Sequence, residues 1–401
     1  MFNHPLRKYR ILDLTNVLSG PFCGYLLANM GAQVIKVEVP ESGDLARQLG
    51  ADAELNQHRM GASFLAQNAG KKSLTINLKT AKGKELFKRL VETADVLIEN
   101  FRPGVMTRLG LDFDELKLVN SRLVYCAISG FGATGPLRYK PAYDQIIQGL
   151  SGVMSITGDD SSSPLRVGYP IADTIGGMSA AFAIASVLAG RNGDDGEAVY
   201  IDVSMLASTM STMGWVVSNY LIAGQIPQPM GNDNFTASPS GTFQTGDGPL
   251  NIAANKQEQF ETLCDIVGLP ELKTDKRFCD RQARLQNRQE LKVILEQVLL
   301  GKSAADWEEK LSAEGVPAGR VLSVPEALNH PHLRSRGMIG CFDSVPKVGK
   351  VEVFRPGFKL NGLSPQVGTP PPQLGQHTEE LLTELGLTAD EIKTLHEEKV
   401  I

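Results

Sequence analysis

The sequence lacks the residue patterns that hold metals or build disulfides. Its 401 residues include only five cysteines and six histidines. The cysteines are odd in number and form no CxxC pair, and the histidines form no HExxH motif. These absences argue against a disulfide framework and against a common type of zinc site. The thiols are therefore predicted to be reduced, and no metal is expected.

A leader segment, a long apolar run and an excess of basic residues are also missing. The N-terminal stretch MFNHPLRKYR has no apolar core of a signal peptide. We expect no apolar run of the roughly 18 to 20 residues that a membrane span needs. The net charge of -5, with lysines and arginines scattered among acids, argues against a nucleic-acid partner. The prediction is a cytoplasmic protein that binds neither nucleic acid nor a membrane.

Strand-like and helix-like segments alternate over the first 130 residues. RILDLT and QVIKVE are typical of buried strands, and GPFCGYLLANMGA between them has helical spacing, with Pro21 suited to a first turn. The alternation continues through SLTINL, TAKGKELFKRLVETA, DVLIENF and RLVYCAIS. It predicts a parallel sheet covered on both faces, which is a doubly wound, Rossmann-like α/β domain. Ligands of such a sheet bind beyond the carboxyl ends of its strands.

A stretch rich in Gly, Pro, Ser and Asn, QIPQPMGNDNFTASPSGTFQTGDGP, predicts a domain boundary. The segments after it predict a strand, LNIAA, and amphipathic helices such as KQEQFETLCDIVGL. We divide the chain into a large α/β domain (1–202), a linker helix (203–228), a small α+β domain (229–330) and a return linker with a C-terminal helix that rejoins the large domain (331–401).

The glycine pattern argues against a nicotinamide dehydrogenase. The turn after the first strand reads SGPFCG and lacks GxGxxG, although Glu38 stands where a ribose-binding acid would. A GxGxxG does occur as Gly130, Gly132 and Gly135, but Pro136 follows at once and opposes the helix that a pyrophosphate needs. This segment is predicted to be a mobile glycine-rich loop.

In PLRVGYPIADTIGGMSAAFAIASVLAG, Asp173 precedes a run without another charge until Arg191. Two interpretations of this acid are open. Asp is a favoured N-cap residue, and the pair Gly176 and Gly177 admits a neighbouring helix without any ligand. Alternatively, Asp173 is a reactive carboxylate that the helix N-terminus keeps ionised, beside glycines that let a substrate or another backbone approach closely.

The chain resembles the class III coenzyme A transferases, the formyl-CoA transferase family that also includes the α-methylacyl-CoA racemases. The resemblance rests on motifs that follow one another from end to end: RILDLTNVLSGPFCGYLLANMGAQVIKVEVPESGD, KKSLTINLKT, DVLIENFRPGVMTRLGL, ISGFGATGP, RVGYPIADTIGG, HPHLRSRGMI and PPPQLGQHTEELLTELGL. The C-terminal half is most similar to the branch that uses succinyl-CoA and dicarboxylic acids such as glutarate.

The resemblance implies an acyl-CoA:carboxylate CoA-transferase in which Asp173 attacks the acyl-CoA thioester. A mixed anhydride, an aspartyl-CoA thioester and a second anhydride would follow in turn. Coenzyme A thioester is then a substrate, and no permanently bound cofactor is expected. The resemblance also implies an interlocked homodimer, which the long linker regions near 203–245 and 331–372 would suit. A 2-methylacyl-CoA racemase and a non-catalytic CoA-binding protein are the alternatives.

Further site residues follow from the resemblance by position. Tyr143 stands where the racemases carry a histidine, and a neutral phenol is a poor base but a good hydrogen-bond donor, which favours transfer; the alternative is an ordinary buried tyrosine. Many relatives carry an arginine at the position of Val39, so Arg47 is a candidate replacement, and Arg166 is a candidate anchor for the acceptor. The residues matched to coenzyme A binding are Val17, Leu18, Ile76, Leu78, Lys79, Asn100, Phe101 and Arg108.

Overall fold

The computed structural model describes residues 4–191 and 196–401, which form two compact units. The large unit contains Met1–Val153, Arg166–Gln225 and Pro331–Ile401, and the small unit contains Met154–Leu165 and Ile226–His330. The sequence-based division places residues 154–165 in the large domain, whereas here they join the small unit. One reason is a backbone hydrogen bond of 2.6 Å from the Gly231 amide to the Gly158 carbonyl.

A parallel sheet of six strands forms the centre of the large unit. The strands are β1 (Arg10–Asp13), β2 (Gln33–Glu38), β3 (Lys71–Thr75), β4 (Val96–Glu99), β5 (Val124–Ser129) and β6 (Val199–Ser204). Their order is β3-β2-β1-β4-β5-β6, and every neighbouring pair is parallel. This is the doubly wound order, in which the direction of winding reverses between β1 and β4. The predicted parallel α/β sheet is confirmed.

Helices cover both faces of this sheet. The helices of the large unit up to residue 225 are α1 (Ser19–Asn29), α2 (Ala53–Gln57), α3 (Ala62–Asn68), α4 (Ala81–Glu92), α5 (Val105–Leu109), α6 (Phe113–Val119), α7 (Asp144–Leu150), α8 (Ile171–Gly190), α9 (Met205–Thr212) and α10 (Trp215–Ala223). Successive residues of β1 point to opposite faces, so that Ile11 packs in the core beneath α1 and α8 while Leu12 packs beneath α4. The near-continuous apolar strands therefore reflect burial on both sides.

Helix α8 corrects one expectation from the sequence. It is long and apolar enough to cross a membrane by length and composition alone. The core helix of a soluble protein passes the same test, and α8 buries one face against α1, α9 and the sheet. Its other face exposes apolar side chains, including Met178 and Phe182. Because both of its faces are apolar, the sequence of α8 shows no amphipathic pattern.

The small unit combines an antiparallel sheet with helices. Its strands are β7 (Ser240–Gln244), β8 (Pro249–Ala253) and β9 (Ala318–Arg320), paired in that order. Its helices are α11 (Gln257–Val267), α12 (Arg281–Gln286), α13 (Arg288–Leu299), α14 (Ala304–Ala313) and α15 (Val324–Asn329). Phe260 on α11 and Trp307 on α14 lie in its core.

The C-terminal segment belongs to the large unit. It contains α16 (Pro331–Ser335), the antiparallel hairpin of β10 (Ile339–Val345) and β11 (Gly349–Phe354), and the helices α17 (Thr378–Glu384) and α18 (Ala389–Glu397). Thr378 accepts a hydrogen bond of 3.1 Å from the Thr75 amide, which attaches α17 to β3. All five cysteines are free, and among the described residues no cluster of His, Cys, Asp and Glu could hold a metal ion.

Candidate active site

A cavity of about 380 Å³ lies at the carboxyl ends of β1, β4 and β5, where the winding of the sheet reverses. In doubly wound sheets this is the position where ligands bind. Its walls are formed by the segments that follow those strands and by residues at the starts of α7, α8 and α9. Six residues predicted for the site line this one cavity: Val17, Leu18, Asn100, Phe101, Tyr143 and Asp173.

Asp173 is the third residue of α8, and it does not cap the helix. The N-cap residue is Pro170, whose side chain makes no capping hydrogen bond. The amide of Ala172 in the first turn instead donates a hydrogen bond of 2.9 Å to Asp144 Oδ1, at the start of α7. The N-cap interpretation of Asp173 is therefore wrong. Its carboxylate accepts no hydrogen bond from residues 4–191 and 196–401 and is left facing the cavity.

The glycine pair after Asp173 lets two neighbouring elements approach α8. A Cβ atom on Gly177 would lie 2.4 Å from the carbonyl oxygen of Ser19, the first residue of α1. A Cβ atom on Gly176 would lie 3.0 Å from Met205 Cγ, at the start of α9. The close approach of another backbone, which the sequence left open, occurs at Gly177. It brings the N-terminus of α1 against the first turns of α8.

The pKa of Asp173 differs from the expectation for a helix N-terminus. Burial, and after it the negative charge of Asp144, raise this pKa from 3.8 to about 7. The sequence-based argument considered only the helix, which favours the ionised carboxylate. It missed Asp144, because that residue is distant in the chain. Near neutral pH the ionised and protonated forms of Asp173 are both populated.

Tyr143 lies directly before α7 and is exposed at the cavity wall. Its relative exposure is 69%, so the alternative of an ordinary buried tyrosine is wrong. Because its backbone precedes Asp144, the same short segment supplies a phenol to the cavity and a carboxylate to the first turn of α8.

Three cations that the sequence interpretation missed line the same cavity. They are Arg102, which follows β4, and Arg138 and Lys140, which follow β5. All three are exposed, and the guanidinium of Arg138 stacks over the ring of Tyr139 at 4.4 Å. Their position in the loops that follow β4 and β5, at the carboxyl edge of a parallel sheet, was the available signal. They give the cavity a positive wall beside the carboxylate of Asp173.

The four remaining predicted residues do not line the cavity of Asp173. Ile76, Leu78 and Lys79 follow β3, two strands away from β1 at the same edge of the sheet. Ile76 is buried in the core, Leu78 is partly buried against it, and Lys79 is exposed. Arg108 is exposed in the last turn of α5.

Arg47 is not available to replace the missing arginine at Val39. Its side chain is fully buried, and its Nε and one terminal nitrogen each donate a hydrogen bond of 2.7 Å to Glu38. The guanidinium also lies 3.7 Å from the centre of the Phe64 ring. Both carboxylate oxygens of Glu38 accept hydrogen bonds from Arg47, so Glu38 is not available as a ribose ligand. Arg166 lies 3.8 Å from Asp144 and does not line the cavity of Asp173.

The fold and the site together indicate a class of protein. A doubly wound α/β unit holds a carboxylate at the point where its winding reverses, in a cavity lined by cations, as expected of an enzyme for anionic small molecules. The sequence profile of "CoA-transferase family III" matches residues 6–378. The chain therefore belongs to CoA-transferase family III and is a CoA-transferase.

Named relatives and a solved structure agree with this assignment. An acetyl-CoA:oxalate CoA-transferase of Acetobacter aceti is 40% identical over 84% of this chain and 85% of its own length. A succinate–glutarate CoA-transferase of Agrobacterium fabrum is 36% identical over 95% of this chain and 96% of its own length. The crystal structure of a CAIB/BAIF family protein from Brucella suis superposes with a TM-score of 0.83, at 35% identity, over 95% of this chain and 99% of that one.

Proposed function

We propose that the protein transfers coenzyme A from an acyl-CoA of the succinyl-CoA type to a small carboxylic or dicarboxylic acid, with Asp173 as the nucleophile. The observation that carries this proposal is the carboxylate of Asp173, which makes no hydrogen bond with the described residues and lies in a cavity with Arg102, Arg138 and Lys140. The names of the relatives support the substrate class, because they include succinate, glutarate and oxalate.

The proposed reaction begins when ionised Asp173 attacks the thioester carbonyl. A C–O bond forms, the C–S bond breaks, and CoA thiolate leaves a mixed anhydride behind. The thiolate then attacks the aspartyl carbonyl, which releases the donor acid and leaves an aspartyl-CoA thioester. The acceptor carboxylate attacks this thioester, the C–S bond breaks, and CoA thiolate leaves the second anhydride behind. Attack of this thiolate on the acceptor carbonyl of the anhydride yields the new acyl-CoA and the free carboxylate of Asp173. A covalent carboxylate intermediate divides one difficult transfer into easier steps.

Other residues of the cavity support these steps. The hydroxyl of Tyr143 would donate a hydrogen bond to the acyl oxygen, and the three cations would attract the carboxylates of donor and acceptor. For coenzyme A itself, we propose Lys79 and Arg108 at the phosphates. Leu78, Asn100 and Phe101 would form the adenine and pantetheine wall, and Val17 and Leu18 would cover the reacting carboxylate. Ile76, which the sequence also assigned to this wall, is buried in the core and would only support it from beneath.

We also propose that two chains form an interlocked homodimer. Helix α10 has no buried residue in the single chain, although its sequence is WVVSNYLIA. Trp215, Leu221 and Ile222 are among its exposed apolar side chains. A partner chain covering this helix would remove a large apolar area from water. A cytoplasmic location, without a nucleic-acid or membrane partner, completes the proposal.

Trapping the intermediate tests the proposed mechanism. The protein is incubated with succinyl-CoA and hydroxylamine, and its peptides are examined by mass spectrometry. We expect a hydroxamate on Asp173, and none in the Asp173→Asn variant. Absence of the adduct with several acyl-CoAs would overturn the proposal. Deuterium uptake from solvent at the α-carbon would then indicate racemisation, and binding without turnover would indicate a CoA-binding protein.

The acidic limb of the pH profile should follow the ionisation of Asp173. Because only the carboxylate attacks, we expect kcat/KM of the wild type to rise through a pH near 7. In Asp144→Asn the amide oxygen still accepts the hydrogen bond from Ala172, but the repelling charge is gone. The limb should therefore move to lower pH, whereas Asp159→Asn in the small unit should leave it in place. An unmoved limb in Asp144→Asn would contradict this assignment.

A further inference from the structure

The cavity wall contains one residue in an unfavourable backbone conformation. Val17 has a φ of 68°, in the left-handed region that a β-branched residue rarely adopts. It lies between the end of β1 and the start of α1 and lines the cavity of Asp173. Such a conformation persists only where surrounding contacts hold it, and it is enriched at functional sites.

The contact that holds Val17 is a buried carboxylate. Asp44 Oδ1 accepts a hydrogen bond of 2.9 Å from the Val17 amide and another of 2.9 Å from the Ala46 amide. Asp44 Oδ2 lies 2.9 Å from Nζ of Lys36, and both side chains are fully buried. The same Nζ donates a hydrogen bond of 2.7 Å to the Thr15 carbonyl. The buried pair therefore binds the chain on both sides of Asn16.

Asn16 itself is fixed from the neighbouring strand. Its amide donates a hydrogen bond of 2.8 Å to Asn100 Oδ1, and its carbonyl accepts one of 2.8 Å from Asn100 Nδ2. Asn100 thus holds the residue before Val17, and the hydrogen bond from the Val17 amide to Asp44 holds the turn itself. After the turn, the Leu18 carbonyl accepts the first helical hydrogen bond of α1, from Phe22.

We propose that Asp44 is a positioning residue of the active site: its carboxylate, held by Lys36, keeps Val17 in the left-handed conformation and so fixes the wall that Val17 and Leu18 form in the cavity of Asp173. The inference rests on the proposed function for its activity readout. Asp44 is not itself a catalytic residue, because it does not line the cavity.

A glycine at position 17 separates this role from a general structural one. Glycine adopts positive φ without steric cost, so Val17→Gly lowers the demand on Asp44. We expect Asp44→Asn to reduce kcat about tenfold or more in the wild type, the scale of a hydrogen bond to a charged group. In the Val17→Gly background, the factor by which Asp44→Asn reduces kcat should be at least three times smaller. The loss of Tm should persist in both backgrounds, because the buried ion pair of Lys36 with Asp44 is lost in each.

The matched control is Asp13→Asn. Asp13 is also a fully buried carboxylate, 2.8 Å from Nζ of Lys71, but it makes no hydrogen bond to Val17. We expect Asp13→Asn to change kcat by the same factor in the wild type and in the Val17→Gly background. An equal loss from Asp44→Asn in both backgrounds would overturn the proposal.

A second readout separates failure of the proposed function from failure of the proposed role of Asp44. Calorimetry measures the affinity for CoA in the wild type, the two single variants and the double variant. We expect Val17→Gly to rescue part of the affinity that Asp44→Asn loses. If the wild type gives neither transfer nor a hydroxamate, the proposed function fails, and the role of Asp44 is decided by the affinities alone. Equal losses of affinity in both backgrounds would then overturn it. If Asp44→Asn does not fold, the same comparison is made with Asp44→Glu, which keeps a negative charge for Lys36 but displaces the carboxylate from the Val17 amide. A smaller loss of kcat in the Val17→Gly background than in the wild type supports the proposal, and equal losses in both backgrounds refute it.

Discussion

Replacing Asp173 by asparagine is expected to abolish CoA transfer and to stabilise the protein above neutral pH. The amide is not a nucleophile, so no anhydride forms, and kcat/KM should fall by about four orders of magnitude or more. The stabilisation arises because the native cavity disfavours the charge that transfer requires. Burial and the charge of Asp144 raise the pKa of Asp173 to about 7, against 3.8 in an unfolded chain.

The direction of the pH dependence follows from these two pKa values. Below 3.8 the carboxyl is protonated in both states, and its burial has no ionic cost. Between 3.8 and about 7 the unfolded chain releases the proton while the native protein retains it, so stability falls as pH rises. Above about 7 the loss is complete. The difference between the native and unfolded pKa values corresponds to a loss of about 4 kcal/mol at most in the free energy of unfolding. Solvent screening reduces this loss, because Asp173 is partly exposed.

Thermal unfolding at pH 5 and pH 8 checks this prediction together with the activity assay. Asp173→Asn should exceed the wild type in Tm by several degrees at pH 8 and by clearly less at pH 5. Asp52→Asn is the control, because it changes an exposed N-cap aspartate of α2 to a residue that caps equally well. An equal difference in Tm at both pH values would show that ionisation of Asp173 is not the source of the cost.

Replacement by alanine should destabilise the protein at Gly177 and be nearly neutral at the adjacent Gly176. In Gly177→Ala the new methyl group would lie 2.4 Å from the Ser19 carbonyl oxygen and 3.3 Å from the Phe22 ring. A backbone oxygen cannot rotate away, so α1 and α8 must separate. We expect a loss of about 3 kcal/mol in the free energy of unfolding, which exceeds the gain of about 1 kcal/mol in helix propensity. Activity should fall too, because Leu18 and Asp173 lie on the two separated elements.

Gly176→Ala is the matched control, one position earlier in the same helix. Its methyl group would lie 3.0 Å from Met205 Cγ, an atom of a flexible side chain that is able to move. The gain in helix propensity should offset this contact, so the free energy of unfolding should stay within about 1 kcal/mol of the wild type. Denaturant titration of both variants measures the difference. Equal stability of the two variants would show that α1 and α8 do not meet as closely as described.

Local features of the sequence were sufficient for much of the fold. RILDLT, QVIKVE and RLVYCAIS each contain their own strand signal, because apolar runs bounded by turn residues need no distant partner to be recognised. Pro136 likewise ruled out a dinucleotide helix, and no helix begins between Gly130 and Asp144. The segment around Asp173 stood out because a single acid before a long uncharged run is visible in the sequence alone.

The errors concern contacts between residues that lie in different segments of the chain. Arg47 looked available for a phosphate because nothing in its own segment shows that Glu38 and Phe64 enclose it. The N-cap interpretation of Asp173 failed because nothing in its own segment shows that Asp144 binds the first turn of α8.

The sequence by itself determined the strands of the parallel sheet, the family and the acid at position 173, since periodicity, motifs and residue type are local properties. Only the tertiary structure decided that Asp144 accepts a hydrogen bond from the first turn of α8, that Asp173 shares a cavity with three cations, and that Asp44 accepts a hydrogen bond from the Val17 amide. The sheet brings these residues together from separate loops. Burial and Coulomb interactions depend on distance in space, and the order of residues along the chain does not specify that distance.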